Sequence, residues 1–540
     1  MRAIGYSFVT DCDTEVLLAG YAHWGADCVQ HFNGMWAFCI YDSKKQTLFC
    51  SRDRFGVKPF YYTEQDSYFA FGSEIKQLLT LHTTPPQANR DMLLAFLISA
   101  QLDHSNQTMF EGIFQLEPGT NLLYSLPTHQ YSIVRWYDLR KIAPARRTFE
   151  QNVEQFRQVF NDAVRLRLRS DVSIGSCLSG GLDSSAIVCT MHRLLESAGL
   201  PFDQHVVSAC YELPKYDERI YMDAVLAQTH AASHRVFPDV THIIDELDKF
   251  TWHMDVPITS TSHYSQWCVY REAKKSGLTV MLDGQGADEQ LAGYTEFYDL
   301  MFVELIRSLQ FARLEREIRL FNQYRKTDFY SSGLRYRVEL FLRAFTPDFV
   351  KRYRRKKQIA ACGPFTLEQM RNPEIQKLGE SFNIKHPREY IHAQLFRTLA
   401  VLLHYGDRNS MAFSIESRLP FLDYHVVEAL FSMPLSHKIR FGLTKRVMRA
   451  AMRGIMPDEI TDRMSKLGFA TPLEEWMREH PDHFHDYLSA AIARLDPLLN
   501  RHQAMTWYDE ICRTDCFREC NVIWRIISAA RWADVFQVQI

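Results

Sequence analysis

The segment CLSGGLDSSAI, residues 177–187, most constrains the fold, because two adjacent glycines separate an apolar run from a helical pattern. The run VSIGSCL before it predicts a short buried strand, and a helix is expected to begin around Ser184. Glycines let the backbone approach an anion, and the first turn of a helix offers free N–H groups and a positive dipole end. The pattern predicts a phosphate-binding turn, although it lacks the lysine of the GxxxxGK[ST] loop.

The side chains of this turn indicate a metal-assisted phosphate site. Ser179, Ser184 and Ser185 supply hydroxyl donors, whereas the carboxylate of Asp183 would by itself repel a phosphate. A divalent cation that bridges carboxylate and phosphate removes this conflict, and Mg²⁺ suits an oxygen-rich site. The alternative is an ordinary helix start with glycine in a tight turn, which the complete SGGLDSS string disfavours.

A second apolar run enters an acidic, glycine-containing loop at VMLDGQGADEQLAGY, residues 280–294. Asp283, Asp288 and Glu289 are available in this loop. In a parallel sheet such loops gather at the carboxyl ends of the strands, so Asp288 is expected to join Asp183 on one Mg²⁺. A solvent-facing acidic turn is the alternative interpretation.

The hydrophobic pattern of the sequence changes between residues 140 and 150. Before that point, short aromatic strands at 35–42, 47–53, 59–62 and 67–74 predict two hairpins within a sandwich. After it, helical and strand patterns alternate, which predicts parallel βαβ units. We therefore expect one domain over 1–140 and a second over 150–540.

Composition limits the possible functions. The 540 residues carry a formal net charge of -2, which argues against a protein whose main role is to coat nucleic acid or an anionic membrane. No apolar run reaches the length of a membrane span and the first residues do not resemble a secretory signal. The 12 cysteines lack CxxC spacing, which is typical of a reducing, cytoplasmic setting.

Two smaller features are interpreted as structural. The basic run KRYRRKKQ at 351–358 is expected to be a solvated helix end rather than an RNA-binding patch. Cys512, Cys516 and Cys520 are spaced to share one face of a single helix within 507–536, where they are expected to pack and not to bind metal.

These motifs together resemble the asparagine synthetase family. LSGGLDSS is similar to its pyrophosphate loop and LDGQGADEQLAGY to its second ATP-site loop, and YGDRNSMAFSIESRLPFLD and DRMSKLGFATP match later family stretches. DTEVLL, FNGMWAFCIYD and RDRFGVKPFYY look like the later part of its glutamine amidotransferase domain. The resemblance implies a partial α+β amidotransferase sandwich, followed by an α/β ATP-pyrophosphatase-type domain with a parallel sheet and helical C-terminal additions.

The resemblance also implies an activity. The family uses ATP to adenylate the side-chain carboxylate of aspartate, and ammonia then displaces AMP to give asparagine. It implies Lys466, Asp183 and Asp288 as catalytic residues, with Mg²⁺ on the two aspartates, and Asp13 as a remnant of the glutamine site. Aspartate is expected to contact Thr261, Ser262, Glu416 and Arg418. ATP and pyrophosphate are expected to contact Leu178, Ser179, Gly180, Gly181, Asp183, Ser184, Ser185, Cys210, Asp283 and Gly284.

Two positions depart from the family pattern. Gln285 stands where the best-known members carry glutamate, and an amide cannot accept a proton from incoming ammonia. The nucleophilic cysteine that normally follows the initiator methionine has no counterpart, and neither Cys12 nor Cys28 has the adjacent α-amine that would act as its base. We therefore expect ammonia, rather than glutamine, to be the nitrogen donor of this polypeptide.

Other interpretations stay open. A related ligase that amidates or cyclises another carboxylate, such as a β-lactam- or peptide-forming ligase, would use the same ATP loops. A non-catalytic subunit is a second alternative. A tRNA-modifying pyrophosphatase is a third, which the charge balance disfavours. Predicted partners are small molecules, together with a second copy of the chain or a separate chain that supplies the missing amidotransferase half through an unpaired strand edge around residues 35–42.

Overall fold

The computed structural model describes residues 1–65, 68–199, 204–325, 341–342, 345–346, 350, 364–366, 368–376, 386–465, 471–496, 498–515, 517 and 520–540. The strands are β1 Ala37–Asp42, β2 Thr47–Arg52, β3 Tyr61–Gln65, β4 Tyr68–Gly72, β5 Phe114–Gln115, β6 Thr120–Ser125, β7 Gln130–Arg135, β8 Ile174–Cys177, β9 His205–Ala209, β10 Ala232–Val236, β11 Val280–Leu282 and β12 Glu416–Arg418.

The described α-helices fall into an early and a late group. Before the first long gap they are Asp13–Trp24, Ile75–Leu79, Arg90–Ser99, Phe149–Arg167, Leu182–Ser197, Arg219–Thr229, Val240–Met254, Ser262–Lys275, Ala287–Leu291, Glu296–Arg307 and Phe311–Arg325. After it they are Pro387–Ala393, Leu399–Met411, Tyr424–Ser432, Leu435–Lys438, Arg446–Met452, Asp458–Thr461, Leu473–Glu479, Pro481–Arg494, Arg501–Thr514 and Cys520–Val535.

The N-terminal part is a sandwich of two antiparallel sheets, with strand orders β1-β2-β6-β7 and β4-β3-β5. Both predicted hairpins are confirmed, because β1 pairs with β2 and β3 pairs with β4. The two sheets share an aromatic core, in which the ring of Phe69 stacks on that of Tyr124 at 4.5 Å between centroids. Among the described strands β1 pairs with β2 alone, so the expected strand edge lies there.

The second part contains a five-stranded, all-parallel sheet with the order β10-β9-β8-β11-β12. Alternating residues bury its two faces against different helices. Val206 and Leu282 face the helices Phe149–Arg167 and Leu182–Ser197, whereas Val207 and Met281 face the helix Ser262–Lys275. The sheet is therefore covered on both sides, as parallel sheets require.

The predicted helical C-terminal additions are present, and they share a hydrophobic core with the N-terminal part. The helix Cys520–Val535 lies in one hydrophobic cluster with the helix Arg90–Ser99. The backbone N–H of Ala88 donates to the carbonyl oxygen of Gln539 at 2.8 Å. Since sequence periodicity carries no information about such long-range packing, the division at 140–150 gave no indication of this shared core.

The prediction of one cysteine-bearing helix at the C terminus was wrong. One helix ends at Thr514, Asp515 adopts a left-handed conformation with φ 50°, and the next helix begins at Cys520. Cys512 and Cys520 therefore lie on different helices, and both pack against the same apolar cluster. Cys516 and the basic run at 351–358 lie outside the described residues.

Candidate functional site

The candidate site lies at the switch point of the parallel sheet, where the order in which strands are added reverses. From β8 the chain moves to β9 and β10 on one side, whereas β11 and β12 lie on the other side of β8. Two neighbouring strands whose connections leave in opposite directions open a crevice at their carboxyl ends, which is where α/β proteins bind ligands. The loops that follow β8 and β11 are the two loops with chemical motifs in the sequence.

The loop after β8 is a tight turn that requires glycine. Gly180 has φ +71°, and a Cβ atom there would lie 2.8 Å from the Cβ of Tyr221, so a side chain would be both strained and blocked. The hydroxyl of Ser184 accepts from the backbone N–H of Ser179 at 3.2 Å. The helix begins at Leu182, two residues earlier than expected, and Ser184 and Ser185 are buried in its first turn.

Three charged side chains from distant parts of the sequence converge beside this turn. The Nζ atom of Lys445 lies 2.7 Å from Oδ1 and 2.5 Å from Oδ2 of Asp183. The same nitrogen lies 2.6 Å from Oδ1 of Asp288. Asp183 and Asp288, predicted to share one cation, thus both pair with the ammonium group of Lys445.

Lys445 was missed by the sequence reasoning. It lies in FGLTKRVMRA, a stretch without any motif that indicates a site, and neither of its carboxylate partners is near it in sequence. Burial alone would lower the pKa of this ammonium group, but the carboxylates of Asp183 and Asp288 raise its pKa above the usual value. Its backbone is left-handed, with φ 53°, a strained conformation of the kind that clusters at functional sites.

The two carboxylates fit a magnesium ion that is shared with a phosphate. Among the described residues no cluster of three or more His, Cys, Asp or Glu side chains forms a cage for a metal ion. Mg²⁺ does not need one, since it is commonly held by one or two carboxylates together with substrate phosphates and water. Asp183 and Asp288 already meet at one cation and lie beside a phosphate-type turn, so they would be its protein ligands.

Of the remaining predicted nucleotide residues, Leu178, Cys210 and Asp283 are buried and Gly284 is partly buried. Leu178 and Cys210 follow β8 and β9, and the Leu178 carbonyl accepts from the Ser208 hydroxyl at 2.6 Å. Gly284 packs so closely that a Cβ atom there would lie 3.2 Å from the Cβ of Asp183. Asp283 points elsewhere, because its Oδ2 accepts from Nε2 of Gln266 at 3.1 Å, on the helix Ser262–Lys275.

No hydrogen bond or ion pair of the described residues joins Thr261 or Ser262 to Glu416 or Arg418. Thr261 is buried, with its hydroxyl hydrogen-bonded to that of Thr471, and Ser262 begins a helix. Arg418 is engaged by its own neighbours: Nε pairs with Glu416 at 2.7 Å, and Nη1 donates to the carbonyl oxygens of Arg167 and Arg169. The sequence motif did not predict these hydrogen bonds of Arg418, because the carbonyl acceptors belong to another segment of the chain.

Lys466 lies outside the described residues, as does the segment 466–470. Two described residues near that segment, Arg463 before it and Thr471 after it, each contact a predicted site residue. Nη1 of Arg463 donates to the carbonyl oxygen of Gly180 at 2.8 Å, and Thr471 bonds to Thr261. Arg463 is buried and pairs with Glu218, and it is a second functional candidate that the sequence reasoning missed.

The candidate glutamine-site residues are not gathered in the same way. Asp13 is exposed at the first position of the helix Asp13–Trp24, and Cys12 precedes it at the N-cap. Cys28 is buried, and burial raises the pKa of its thiol to about 11. A thiol with that pKa is protonated at neutral pH and is a poor nucleophile.

The fold and the site define an amidotransferase-type sandwich joined to an ATP-pyrophosphatase-type α/β domain. The sequence model of a glutamine amidotransferase domain matches residues 1–137, and that of asparagine synthase matches residues 155–534. This chain therefore belongs to the asparagine synthase family, which consists of carbon–nitrogen ligases.

Three relatives illustrate the range of the similarity. Asparagine synthetase [glutamine-hydrolyzing] 3 of Bacillus subtilis (strain 168) is 30% identical over 86% of this chain and 71% of its own length. Asparagine synthetase [glutamine-hydrolyzing] 1 of the same organism is 26% identical over 99% of this chain and 83% of its own length. The amidase chry2 of Gibberella zeae is 25% identical over 87% of this chain and 74% of its own length.

Proposed function

We propose that this protein catalyses the ATP-dependent amidation of aspartate to asparagine, with release of AMP and pyrophosphate. The observation that carries the proposal is the convergence of Asp183, Asp288 and Lys445 beside the glycine turn at the switch point of the sheet. With a magnesium ion on the two carboxylates, such a site would offer positive charge and N–H donors to a departing pyrophosphate, which is what phosphoryl and nucleotidyl transfer requires.

The proposed first step is adenylation. The side-chain carboxylate of aspartate attacks the α-phosphorus of ATP, and the bond to pyrophosphate breaks. The turn at Ser179, Gly180 and Gly181 holds the pyrophosphate oxygens, and Lys445 and Lys466 neutralise the charge that develops on them. Mg²⁺ bound by Asp183 and Asp288 would neutralise further phosphate charge. The following step is attack of ammonia on the acyl carbon, with AMP as leaving group.

The acceptor end of the site is proposed to lie near Thr261, Ser262, Glu416 and Arg418. Support comes from Thr261 and Thr471, whose hydroxyls meet next to the segment that contains Lys466. Arg418 would act by fixing the end of β12 against β11, since the backbone N–H of Asp283 donates to the Arg418 carbonyl at 3.0 Å. Glu416 is about half exposed and pairs with this arginine.

Ammonia is the proposed nitrogen donor for the polypeptide with this sequence. Two buried thiols of the sandwich support this. Burial raises the pKa of Cys28 to about 11, and the neighbouring Cys39, together with burial, raises the pKa of Cys50. A separate chain or a second copy that docks along β1 would be the alternative source of nitrogen. A cytoplasmic location agrees with the described cysteines, all of which are free thiols.

A related ligase acting on another carboxylate is the second candidate. One support is the similarity to the relative named amidase chry2, which extends over 87% of this chain. A second support is that Glu416 and Arg418, both predicted to contact aspartate, form an ion pair with each other. Among the described residues no helix has the length and apolarity of a membrane span.

The test is ATP–pyrophosphate exchange, measured with purified protein, Mg²⁺ and each of a panel of carboxylic amino acids. Exchange that depends on aspartate, followed by asparagine formation when ammonium is added, is the expected result. Glutamine is compared with ammonium as the donor in the same reaction. Exchange that depends on a different carboxylate would favour the second candidate, and no exchange with any acceptor would contradict both.

A further inference from the structure

The buried side chain of Arg463 links three segments beside the phosphate turn. Its Nη1 donates to the carbonyl oxygen of Gly180 at 2.8 Å, and its Nη2 pairs with the carboxylate of Glu218. Its Nε lies 3.1 Å from both the carbonyl oxygen and the Oγ atom of Ser465. One guanidinium group therefore joins the turn after β8, the N-cap of the helix Arg219–Thr229 and the chain around Ser465.

The helix Arg219–Thr229 limits the position of the same turn. A Cβ atom at Gly180 would lie 2.8 Å from the Cβ of Tyr221 and 3.2 Å from the carbonyl oxygen of Glu218. The guanidinium carbon of Arg463 lies 3.9 Å from the centre of the Tyr221 ring, a distance typical of a cation–π contact. Arg463 therefore contacts the two residues that restrict Gly180 as well as Gly180 itself.

The hydrogen bond from Arg463 sets the orientation of the peptide group between Gly180 and Gly181. In a planar trans peptide the C=O and N–H bonds point in opposite directions, so a carbonyl directed at Arg463 turns the N–H of Gly181 away from it. Both residues that flank this peptide are glycines, and Gly180 has φ +71°. Because glycine has no Cβ, the peptide group could turn over at little steric cost unless its carbonyl is held.

The N–H of Gly181 is available to a phosphate. It donates to Oγ of Ser179 at 3.4 Å, which is longer than the usual range of about 2.7–3.2 Å for such bonds. Gly181 is the N-cap of the helix Leu182–Ser197, so its N–H lies at the positive end of the helix dipole. A charged phosphate oxygen would accept a stronger hydrogen bond there than a serine hydroxyl does.

We propose that Arg463 is a positioning residue, which holds the Gly180–Gly181 peptide with its N–H towards the pyrophosphate oxygens. This role rests on the proposed function, which supplies the pyrophosphate. Arg463 acts through the backbone of the turn, and Glu218 anchors its guanidinium group. Burial raises the pKa of the Glu218 carboxyl, whereas the charge and hydrogen bond of Arg463 favour the ionised form and so maintain the ion pair.

The first experiment measures the binding of magnesium pyrophosphate to the purified protein by calorimetry. Arg463→Lys keeps the positive charge, but an ammonium group lacks the planar fork that serves Gly180 and Glu218 together. We expect the affinity for magnesium pyrophosphate to fall about tenfold, as when one hydrogen bond to a charged group is lost. The KM for aspartate in the exchange reaction should stay within about twofold of the wild-type value. Arg453→Lys is the matched control, because Arg453 is exposed and pairs with carboxylates of its own segment.

The second experiment tests whether Arg463 acts through the N–H of Gly181. Gly181 has φ -72°, which proline can adopt, so Gly181→Pro removes the N–H without requiring a new φ. Gly181→Ala keeps the N–H and places a comparable Cβ atom, 3.3 Å from Oγ of Ser179. We expect Arg463→Lys to weaken pyrophosphate binding about tenfold when it is added to Gly181→Ala. Added to Gly181→Pro, it should cost less than about twofold, because no N–H remains to be oriented.

Glu218→Gln provides a test that leaves Arg463 in place. The amide oxygen of glutamine still accepts from the guanidinium group, but the ion pair is lost. We expect a loss of pyrophosphate affinity of about threefold, smaller than that in Arg463→Lys, again without a change in the KM for aspartate. If Arg463→Lys does not fold, the cycle with the two Gly181 variants is carried out with Glu218→Gln instead.

Three results would overturn the inference. Unchanged pyrophosphate affinity in Arg463→Lys would exclude the role. Equal losses of pyrophosphate affinity and of aspartate KM would assign Arg463 to the fold in general, and full additivity with Gly181→Pro would show that it does not act through that N–H. Wild-type protein that binds magnesium pyrophosphate but shows no exchange with any carboxylate would instead contradict the proposed function and leave the role of Arg463 in anion binding intact.

Discussion

Charged side chains converge at the carboxyl end of the parallel sheet, whereas the candidate reactive groups of the antiparallel sandwich lie apart. At the sheet, Asp183, Asp288 and Lys445 meet within hydrogen-bonding distance although up to 262 positions separate them. In the sandwich, Asp13 and Cys12 are exposed while Cys28 is buried separately. Parallel strands all deliver their following loops to one edge, whereas antiparallel strands alternate the ends at which their loops lie. In the described residues, the charged groups of the predicted site therefore converge at the parallel sheet.

Loss of the carboxylate of Asp183 or Asp288 should have the largest effect. We expect Asp183→Asn and Asp288→Asn each to reduce ATP–pyrophosphate exchange by at least about a hundredfold, because each removes a charge that positions the phosphates. Asp162→Asn is the control, since Asp162 is an exposed carboxylate on a helix that packs on the same sheet. Retained exchange in either variant would show that convergence at this edge is not functional.

Replacement of Lys445 by methionine tests the same centre through stability. The change leaves two partly buried carboxylates without their cation, so the free energy of unfolding should fall by about 3 kcal/mol. If Mg²⁺ binds Asp183 and Asp288, it should raise the thermal midpoint of Lys445→Met more than that of the wild-type protein. A midpoint that does not respond to Mg²⁺ in Lys445→Met would contradict the assignment of the two aspartates as metal ligands.

A second buried lysine, outside the site, sharpens the comparison. Within the described residues the Nζ of Lys438 has no hydrogen-bond partner, and burial lowers its pKa to about 7. Between that value and about 10.5, the unfolded chain binds a proton that the folded protein does not, so this lysine destabilises the fold increasingly as the pH falls towards 7.

Lys438→Met is therefore expected to stabilise the protein by about 2 kcal/mol at and below pH 7, with a gain that shrinks towards pH 10. Denaturant unfolding of both proteins across this range measures the difference. Lys445→Met should show the opposite sign throughout. A gain in Lys438→Met that does not depend on pH would show that packing, rather than titration, accounts for it.

The smallest effects are expected in the sandwich. Cys12→Ser and Cys28→Ser should each change ammonium-dependent synthesis by less than about twofold, because neither thiol is activated by a neighbouring base. Glutamine should not replace ammonium in the wild-type reaction. If glutamine supports synthesis and one of these variants loses that activity, the replaced thiol is a nucleophile. The sandwich would then also contain an active site, contrary to the difference described between the two regions.

The sequence by itself determined the local elements of the fold. The hairpins around residues 35–74, the strand before the glycine turn and the alternation of helices and strands all follow from periodicity and turn residues, which act over a few positions. It also indicated Asp183 and Asp288 as a pair, because loops after parallel strands meet at one edge. The one wrong helix, across Cys512 to Cys520, arose because a left-handed residue at Asp515 interrupts an otherwise helical pattern.

The tertiary structure alone decided which side chains complete the site. Lys445 meets Asp183 across 262 positions, Arg463 reaches the Gly180 carbonyl across 283, and the carboxylate of Asp283 accepts a hydrogen bond from Gln266. It also placed the C-terminal helix in one core with residues 90–99. Such contacts depend on how helices pack on the sheet, a long-range property that no local pattern in the sequence encodes, whereas the turn and strand signals depend on backbone sterics within a few residues.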